Sequence, residues 1–371
     1  MKNLTIEVVT NEYTLRRFVR FPWKVYRGIP QWVPPLIREE IKILSSSNPF
    51  FEHAETKLFL AKRGYLTVGR IAAIVDRNFI RAQHVKAGHF GFFEVIPDYE
   101  TARVLYDRAV EWLKEKGMEL VLGPMNPSTN EQCAFLVEGF EYEPNFMMPY
   151  NPEYYPLFAE KYGFKKARDL LAYEVDVMAD APNRWVRIAE LVKRKGFTVR
   201  PLNLKNFLKE IDIIQDIYNA AWRENWGFVP MTREEMLWMG KRLKTLAVPG
   251  LTQIVEYKGE PVGFTMNLPN YNKVLKKLNG RLGLLGIFHF FQYSKEITEL
   301  RCMTLGIKSA YRRKGVDVLL RLESWKAARD MGLKKAELSW ILEENIPMRN
   351  FLEQIGAKVT KRYRIYEKAI V

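Results

Sequence analysis

The chain has 371 residues, 47% of them hydrophobic, and its 58 Lys and Arg against 43 Asp and Glu leave a net charge of +15. That is enough for two domains with buried cores, and the basic balance points to an anionic partner such as a phosphorylated cofactor, an acidic membrane surface or RNA. The two cysteines, Cys133 and Cys302, each in an apolar setting, exclude a disulfide framework or a zinc site, and the 4 scattered histidines offer no metal-binding pair.

"MKNLTIEVVT" opens the chain as a strand without the basic-then-apolar pattern of a signal peptide, so a cytoplasmic location is expected. "EYTLRRFVRFPWKVYRG" follows as an amphipathic helix and "LAKRGYLTVGRIAAIV" as a hairpin. Next come an apolar strand, "GHFGFFEVI", and the helix "ETARVLYDRAVEWLKEKG", which ends on a glycine suited to a left-handed cap. The strand "MELVLGP", a long loop "MNPSTNEQCAFLVEGFEYEPNFMMPYN" and a closing helix and strand complete this half.

"MADAPNRWVRIAELVKRK" reads as a polar connecting helix, after which the same order starts again. "GFTVRPL" is a strand, "NFLKEIDIIQDIYNAAWREN" a helix and "IVEYKGEPVGFTMNL" a hairpin. An insertion, "YNKVLKKLNGRLGLLGIFHFFQYSKEI", precedes the strand "TELRCMTLGI", the helix "VDVLLRLESWKAARDMG" and the strand "KKAELSWIL". The two halves also share residues. "FAEKYGFKKARDLLAYEV" and "FLEQIGAKVTKRYRIYEK" match at Phe, Glu, Gly, Lys, Tyr and Glu with one offset of 193 residues, as from Tyr173 to Tyr366. Gly69 and Gly263 mark the corresponding hairpins. Two similar α+β units in tandem are the economical reading. The expected division is 1–178, a linker at 179–196, and 197–371.

Between the strand and helix of the second half stands "SAYRRKGVDVLL". A strand, then Arg-x-x-Gly, then a helix turns unpaired N–H groups and a positive helix end toward one point, a ready phosphate site. In this setting the turn, with "ENIPMRNFLEQIGA" beyond the next strand, resembles the core of the GNAT superfamily of acyl-CoA N-acyltransferases. The resemblance covers 197–371 and reaches the first half through the repeat. It implies a mixed, mostly antiparallel sheet flanked by helices in each unit. It also implies acetyl-CoA or a longer acyl-CoA as donor and a primary amine as acceptor. Carried over by position, it assigns the cofactor to Arg312, Arg313, Lys314, Gly315 and Val316, with Asn345 at the next helix start. The backbone of Thr304, Leu305, Gly306 and Ile307 would polarise the thioester carbonyl.

Two departures stand out. Asp317 replaces the small residue of the turn, and the family's common acid, a tyrosine, would fall at Leu352. The first half has "IPDYET" and no Arg-x-x-Gly, so only the second half is expected to bind CoA.

Glu94, in the apolar "FGFFEV", and His53, in "NPFFEHAE", are candidate bases for the amine. Against these roles, Glu94 reads as a strand-end glutamate paired with a nearby arginine, and His53 as a structural loop histidine. Trp222, Asn225 and Trp226, with Asn126 and Tyr150 of the first half, are candidates for the acceptor site, against plain packing. The basic-then-aromatic segment 273–294 admits peripheral contact with a membrane. The whole chain also resembles bacterial members of the superfamily that include N-acyltransferases acting on sphingoid bases, so a lipid amine at the membrane surface is the alternative acceptor. A non-catalytic CoA- or lipid-binding protein and a tRNA-dependent aminoacyl transferase are the other readings. Nucleic acid has only charge in its favour.

Overall fold

A computed structural model describes residues 3–370, apart from the side chains at 284, 285, 287, 289 and 291. Leu284, Leu285, Ile287 and Phe291, part of the apolar stretch expected to meet a membrane, thus lie outside the described side chains.

The first half of the chain begins β1 (Leu4–Val8), α1 (Glu12–Arg20), α2 (Pro22–Val25), α3 (Ile37–Ile43). Then follow β2 (Ala54–Arg63), β3 (Leu66–Asp76), α4 (Arg77–Gln83), β4 (Ala87–Val95) and α5 (Tyr99–Glu115). The expected long loop is partly ordered into short strands: β5 (Leu120–Gly123) leads into β6 (Met125–Asn126), β7 (Gln132–Cys133) and β8 (Phe135–Glu138). α6 (Tyr154–Tyr162) and β9 (Lys165–Asp176) close the half.

The second half begins with α7 (Asn183–Arg194), β10 (Phe197–Pro201), α8 (Phe207–Trp222) and α9 (Arg233–Leu243). The hairpin β11 (Gln253–Tyr257) and β12 (Glu260–Pro269) comes next, then the inserted α10 (Asn272–Leu278) and α11 (Leu284–Ser294). β13 (Glu299–Ile307), α12 (Val316–Asp330), β14 (Lys335–Leu342), α13 (Ile346–Gln354) and β15 (Lys358–Ala369) end it.

By compactness the chain forms two units that are not simply consecutive. One comprises 1–170, 274–290 and 361–371, the other 171–273 and 291–360. Two features account for the difference from a plain cut at 178 and 197. In the first unit β1, β2, β3 and β4 are antiparallel neighbours and β4 pairs parallel with β5. The next place is filled by the chain's last strand, with Tyr366 opposite Gly123 and Ala369 opposite Leu120. The second unit repeats the pattern with β10 to β13 antiparallel and β13 parallel to β14, and there β9 is the neighbour of β14.

The inserted 274–290 belongs with the first unit. Trp23 Nε1 donates to Asn279 Oδ1 at 2.8 Å, and a β-carbon on Gly280 would sit 2.4 Å from the Trp23 ring.

The helix expected as a linker is core. Ala189 and Val192 of α7 pack with Val316, Leu319 and Leu320 of α12, and Trp185 stacks on Phe351 at 5.2 Å. In the first unit α5 plays the part of α12, laying Ala102, Leu105, Tyr106 and Leu113 over Phe59, Ile71, Ala73 and Phe90. Both helices carry apolar residues at spacings of three and four, the period that buries one face.

Candidate active site

The second unit has a fork in its sheet. β13 and β14 pair from Glu299–Lys335 to Cys302–Leu338, while β13 runs on to Ile307 against β12 alone. Met266 stands opposite Thr304 and Asn267 opposite Cys302, so Met303 has no residue facing it and forms a bulge. The stretch beyond Cys302 thus offers backbone groups on its open edge, where an extended thioester arm can lie. α8 closes one face of this stretch. A β-carbon on Gly306 would stand 2.3 Å from the Trp222 ring, so only glycine fits beneath that indole.

The chain leaves β13 through a single turn at Ser309–Tyr311 and enters the Arg-x-x-Gly motif. Arg313 and Gly315 are left-handed, φ 59° and 79°, and Gly315 is the N-cap of α12, with no side chain capping the helix. Its first-turn N–H groups thus meet no capping side chain. Arg313 and Lys314 stand beside them, Lys314 with its ammonium 5.2 Å over the Tyr311 ring. Arg312 is used differently: it donates to the Ile307 carbonyl at 3.2 Å and to the Ala221 carbonyl, tying the end of α8 to the end of β13. Asp317 turns along the helix toward Arg321, 3.9 Å away, rather than into the turn. These features fit a CoA pyrophosphate at the turn. Asn345 is occupied in capping α13, accepting from the Met348 N–H at 3.2 Å, and Leu352 is fully buried.

The first unit has the same fork but fills it. β4 and β5 part after His89–Leu122, and β6 enters the gap. A β-carbon on Gly91 would fall 1.7 Å from the Met125 carbonyl oxygen. Asn126, expected to orient a substrate, instead accepts the Phe92 N–H at 2.6 Å. The helix start is closed too. Asp98 caps α5, accepting from Thr101 at 3.1 Å and from Arg63 at 2.6 Å, where α12 has only open N–H groups.

No family model matches the chain. Curated relatives do. The chain is 33% identical to Protein YghO of Escherichia coli strain K12, over 98% of its own length and 95% of that protein's. It is 34% identical to the bacterial ceramide synthase of Caulobacter vibrioides, over 99% and 98%. Among solved structures, a tandem GNAT protein from the clavulanic acid biosynthesis pathway superposes with a TM-score of 0.59, covering 100% of this chain and 99% of that one at 11% identity. A GCN5-related N-acetyltransferase of Sphaerobacter thermophilus gives 0.53, covering 99% and 96% at 12% identity.

The chain belongs to one family with these two relatives, and its fold is that of a tandem GNAT protein. Among the described residues, no helix is long and apolar enough to cross a membrane.

The GNAT geometry brings Trp222 onto the β13 edge at Gly306, packed also on Tyr218 at 4.8 Å and Phe264 at 6.1 Å. Asn225 lies in the turn just after α8, donating its N–H to the Trp222 carbonyl at 2.8 Å, and Trp226 follows it. Tyr150 donates to the Phe140 carbonyl at 3.0 Å.

The two candidate bases are not together. Glu94 stands opposite Arg70 and the end of β2 after His53 stands opposite Asp76, six residues further along β3, roughly 20 Å at 3.3 Å per residue. Glu94 is held in a buried network, accepting from the Tyr155 hydroxyl at 2.7 Å with the Arg70 guanidinium at 3.6 Å. Burial pushes its carboxyl above the usual range, with Arg70 and Tyr155 opposing. His53 Nδ1 is 2.9 Å from Asp76 Oδ1.

Sequence reasoning passed over three polar residues at the second fork. Arg301, Glu337 and Ser339 are buried there, joined by hydrogen bonds of 2.9 Å from Arg301 Nε to Ser339 Oγ and 2.8 Å from Ser339 Oγ to Glu337 Oε1. The available signal was a charge inside each of two apolar strands, "LRCM" and "AELSW".

Proposed function

We propose that the enzyme transfers a long acyl chain from acyl-CoA, bound by the second unit, to the primary amine of a long-chain amino alcohol of the sphingoid type. The observation that carries the acceptor is the 34% identity, over 99% of the chain, to a protein named a ceramide synthase. A ceramide is the N-acyl product of such an amine. In this reading Arg313, Lys314 and the first-turn N–H groups of α12 hold the pyrophosphate, and the open edge from Met303 to Ile307 lies along the thioester arm. The donor supplies an acyl carbonyl open to a neutral amine, and N–H groups of the bulged edge are placed to favour charge developing on that carbonyl oxygen.

Membrane contact through 273–294 belongs to the same proposal, since a long-chain amine resides in lipid. Phe288 is 67% exposed, as an interfacial helix requires. Lys273 and Lys276 are paired with Glu299 and Glu143, so the basic share of such contact is smaller than the count of cations implies. Sedimentation with anionic vesicles, lost on Phe288→Asp, supports this part, and a protein that never sediments removes it.

Expression in a bacterium that makes no long-chain base, with such a base supplied in the medium, tests the acceptor. Amides of that base in the lipid extract are expected. Their absence, with the base recovered unmodified from cells containing the folded protein, contradicts the proposal.

A further inference from the structure

The two forks share a register but not a lining. Gly69 stands opposite Val95 and Gly263 opposite Ile307. Counting back from these rungs sets His89 in the place of Arg301. Their partners on the parallel strand are Leu122 and Glu337, and two residues on stand Pro124 and Ser339. The first unit therefore builds this fork with Leu122 and Pro124 where the second has Glu337 and Ser339. A carboxylate and a guanidinium cost several kcal/mol each to bury, and the first fork shows that the fold does not require them.

In the second fork the three groups form a directed chain. Arg301 Nε donates to Ser339 Oγ at 2.9 Å and its terminal nitrogen to the Ser339 carbonyl at 3.3 Å. Ser339 Oγ donates to Glu337 Oε1 at 2.8 Å. The guanidinium lies 5.4 Å over the Trp340 ring. Ser339 is the first residue of β14 beyond the last rung with β13, so the chain ends where the strands separate. Arg301 stands opposite Leu268 and Thr304 opposite Met266 on β12, two residues apart and so on one face. Thr304 Oγ1, on the open edge, is buried with no hydrogen-bond partner among the described atoms.

We propose that Glu337, reached through Ser339, receives the proton lost by the acceptor amine, and that Arg301 is the positioning residue that keeps Ser339 and Glu337 aligned at the fork. This rests on the second unit being the one that performs the transfer. The amine nitrogen bonds to the thioester carbonyl carbon, and the carbon–sulfur bond breaks with its electron pair leaving on sulfur. The nitrogen's proton passes to Ser339 Oγ as the Ser339 proton passes to Glu337. Glu337 then yields a proton by way of solvent to the thiolate, so the products are the amide and the CoA thiol.

The test is Glu337→Gln, followed by thiol release from palmitoyl-CoA with a plain alkylamine, with its weakly basic trifluoro analogue and with a long-chain amino alcohol. General-base loss is expected to lower turnover with the basic alkylamine about 100-fold and with the weakly basic amine less than about 10-fold, because that nitrogen sheds its proton without help. Palmitoyl-CoA affinity by calorimetry should stay within about 2-fold. Equal losses on both amines, or wild-type turnover, overturn the proposal. If Glu337→Gln does not fold, Ser339→Ala carries the same comparison, with Arg301→Lys as the test of alignment. A wild type that acylates the alkylamine but not the amino alcohol refutes the proposed acceptor and leaves this comparison decisive on the alkylamine.

Discussion

Gly91 lies so close to Met125 that a β-carbon on it would fall 1.7 Å from the Met125 carbonyl oxygen. With Asn126 holding the Phe92 N–H and Asp98 capping α5, the first unit has closed both places where its counterpart is open. One acyl-CoA per chain is therefore expected. Isothermal calorimetry should give a stoichiometry of one. Tyr99→Glu, at the first unit's helix start, should leave the affinity nearly unchanged. Two bound molecules per chain would refute the closure.

The turn makes a separable prediction through Arg313, whose φ of 59° strains a residue with a side chain. Arg313→Gly should raise stability by about 1 kcal/mol by relieving the left-handed backbone while weakening CoA binding through the lost charge. Gly315→Ala should lower both, since its φ is 79° and its β-carbon would meet Ile188 at 2.7 Å. Urea denaturation and calorimetry read the two effects. An Arg313→Gly protein that binds CoA as tightly as wild type removes that side chain from the site.

Repeat, strand order within each unit and the open turn are readable in the sequence because each depends on local periodicity or on glycine at a turn. The exchange of β9 and β15 is not, because both read as closing strands and nothing local states which sheet they join. The same limit hid Arg301, Glu337 and Ser339. Each looks like a polar interruption of an apolar strand until the parallel register places them side by side. Asn126 is ambiguous for a related reason: its amide suits a substrate as well as it suits a bulged backbone, and only the path of β6 puts its oxygen on the Phe92 N–H.

Glu94 and Arg70 form a buried pair, with Arg70 5% exposed. Removing one partner leaves the other charge uncompensated, which costs about 3–5 kcal/mol. Glu94→Gln should therefore destabilise the first unit on that order. The double change Glu94→Leu with Arg70→Met should recover most of the loss, as read by thermal melting. A Glu94→Gln protein of wild-type stability and reduced turnover would instead favour Glu94 as a catalytic base.

His89 is buried and neutral, its imidazole pushed down from 6.5 to about 4 by burial, with Asp76 opposing. A depressed histidine leaves the unfolded chain binding more protons between those two values, so stability rises with pH across that window and is flat above it. The slope is about 1.4 kcal/mol per unit. Denaturation series from about pH 7 to about pH 4 should show the loss in wild type and a shallower one in His89→Leu. Equal slopes would mean that His89 already has a proton in the fold.

The most direct measurement of the central claim is mass spectrometry of the product formed by the purified enzyme from palmitoyl-CoA and a mixture of amines. The mixture should hold a long-chain amino alcohol, a short alkylamine and free amino acids at equal concentration. The account predicts that the N-palmitoyl amide of the long-chain amino alcohol dominates, and that Lys314→Glu lowers its yield without unfolding the protein. A product confined to the short or water-soluble amines, with the long-chain base untouched, would contradict it.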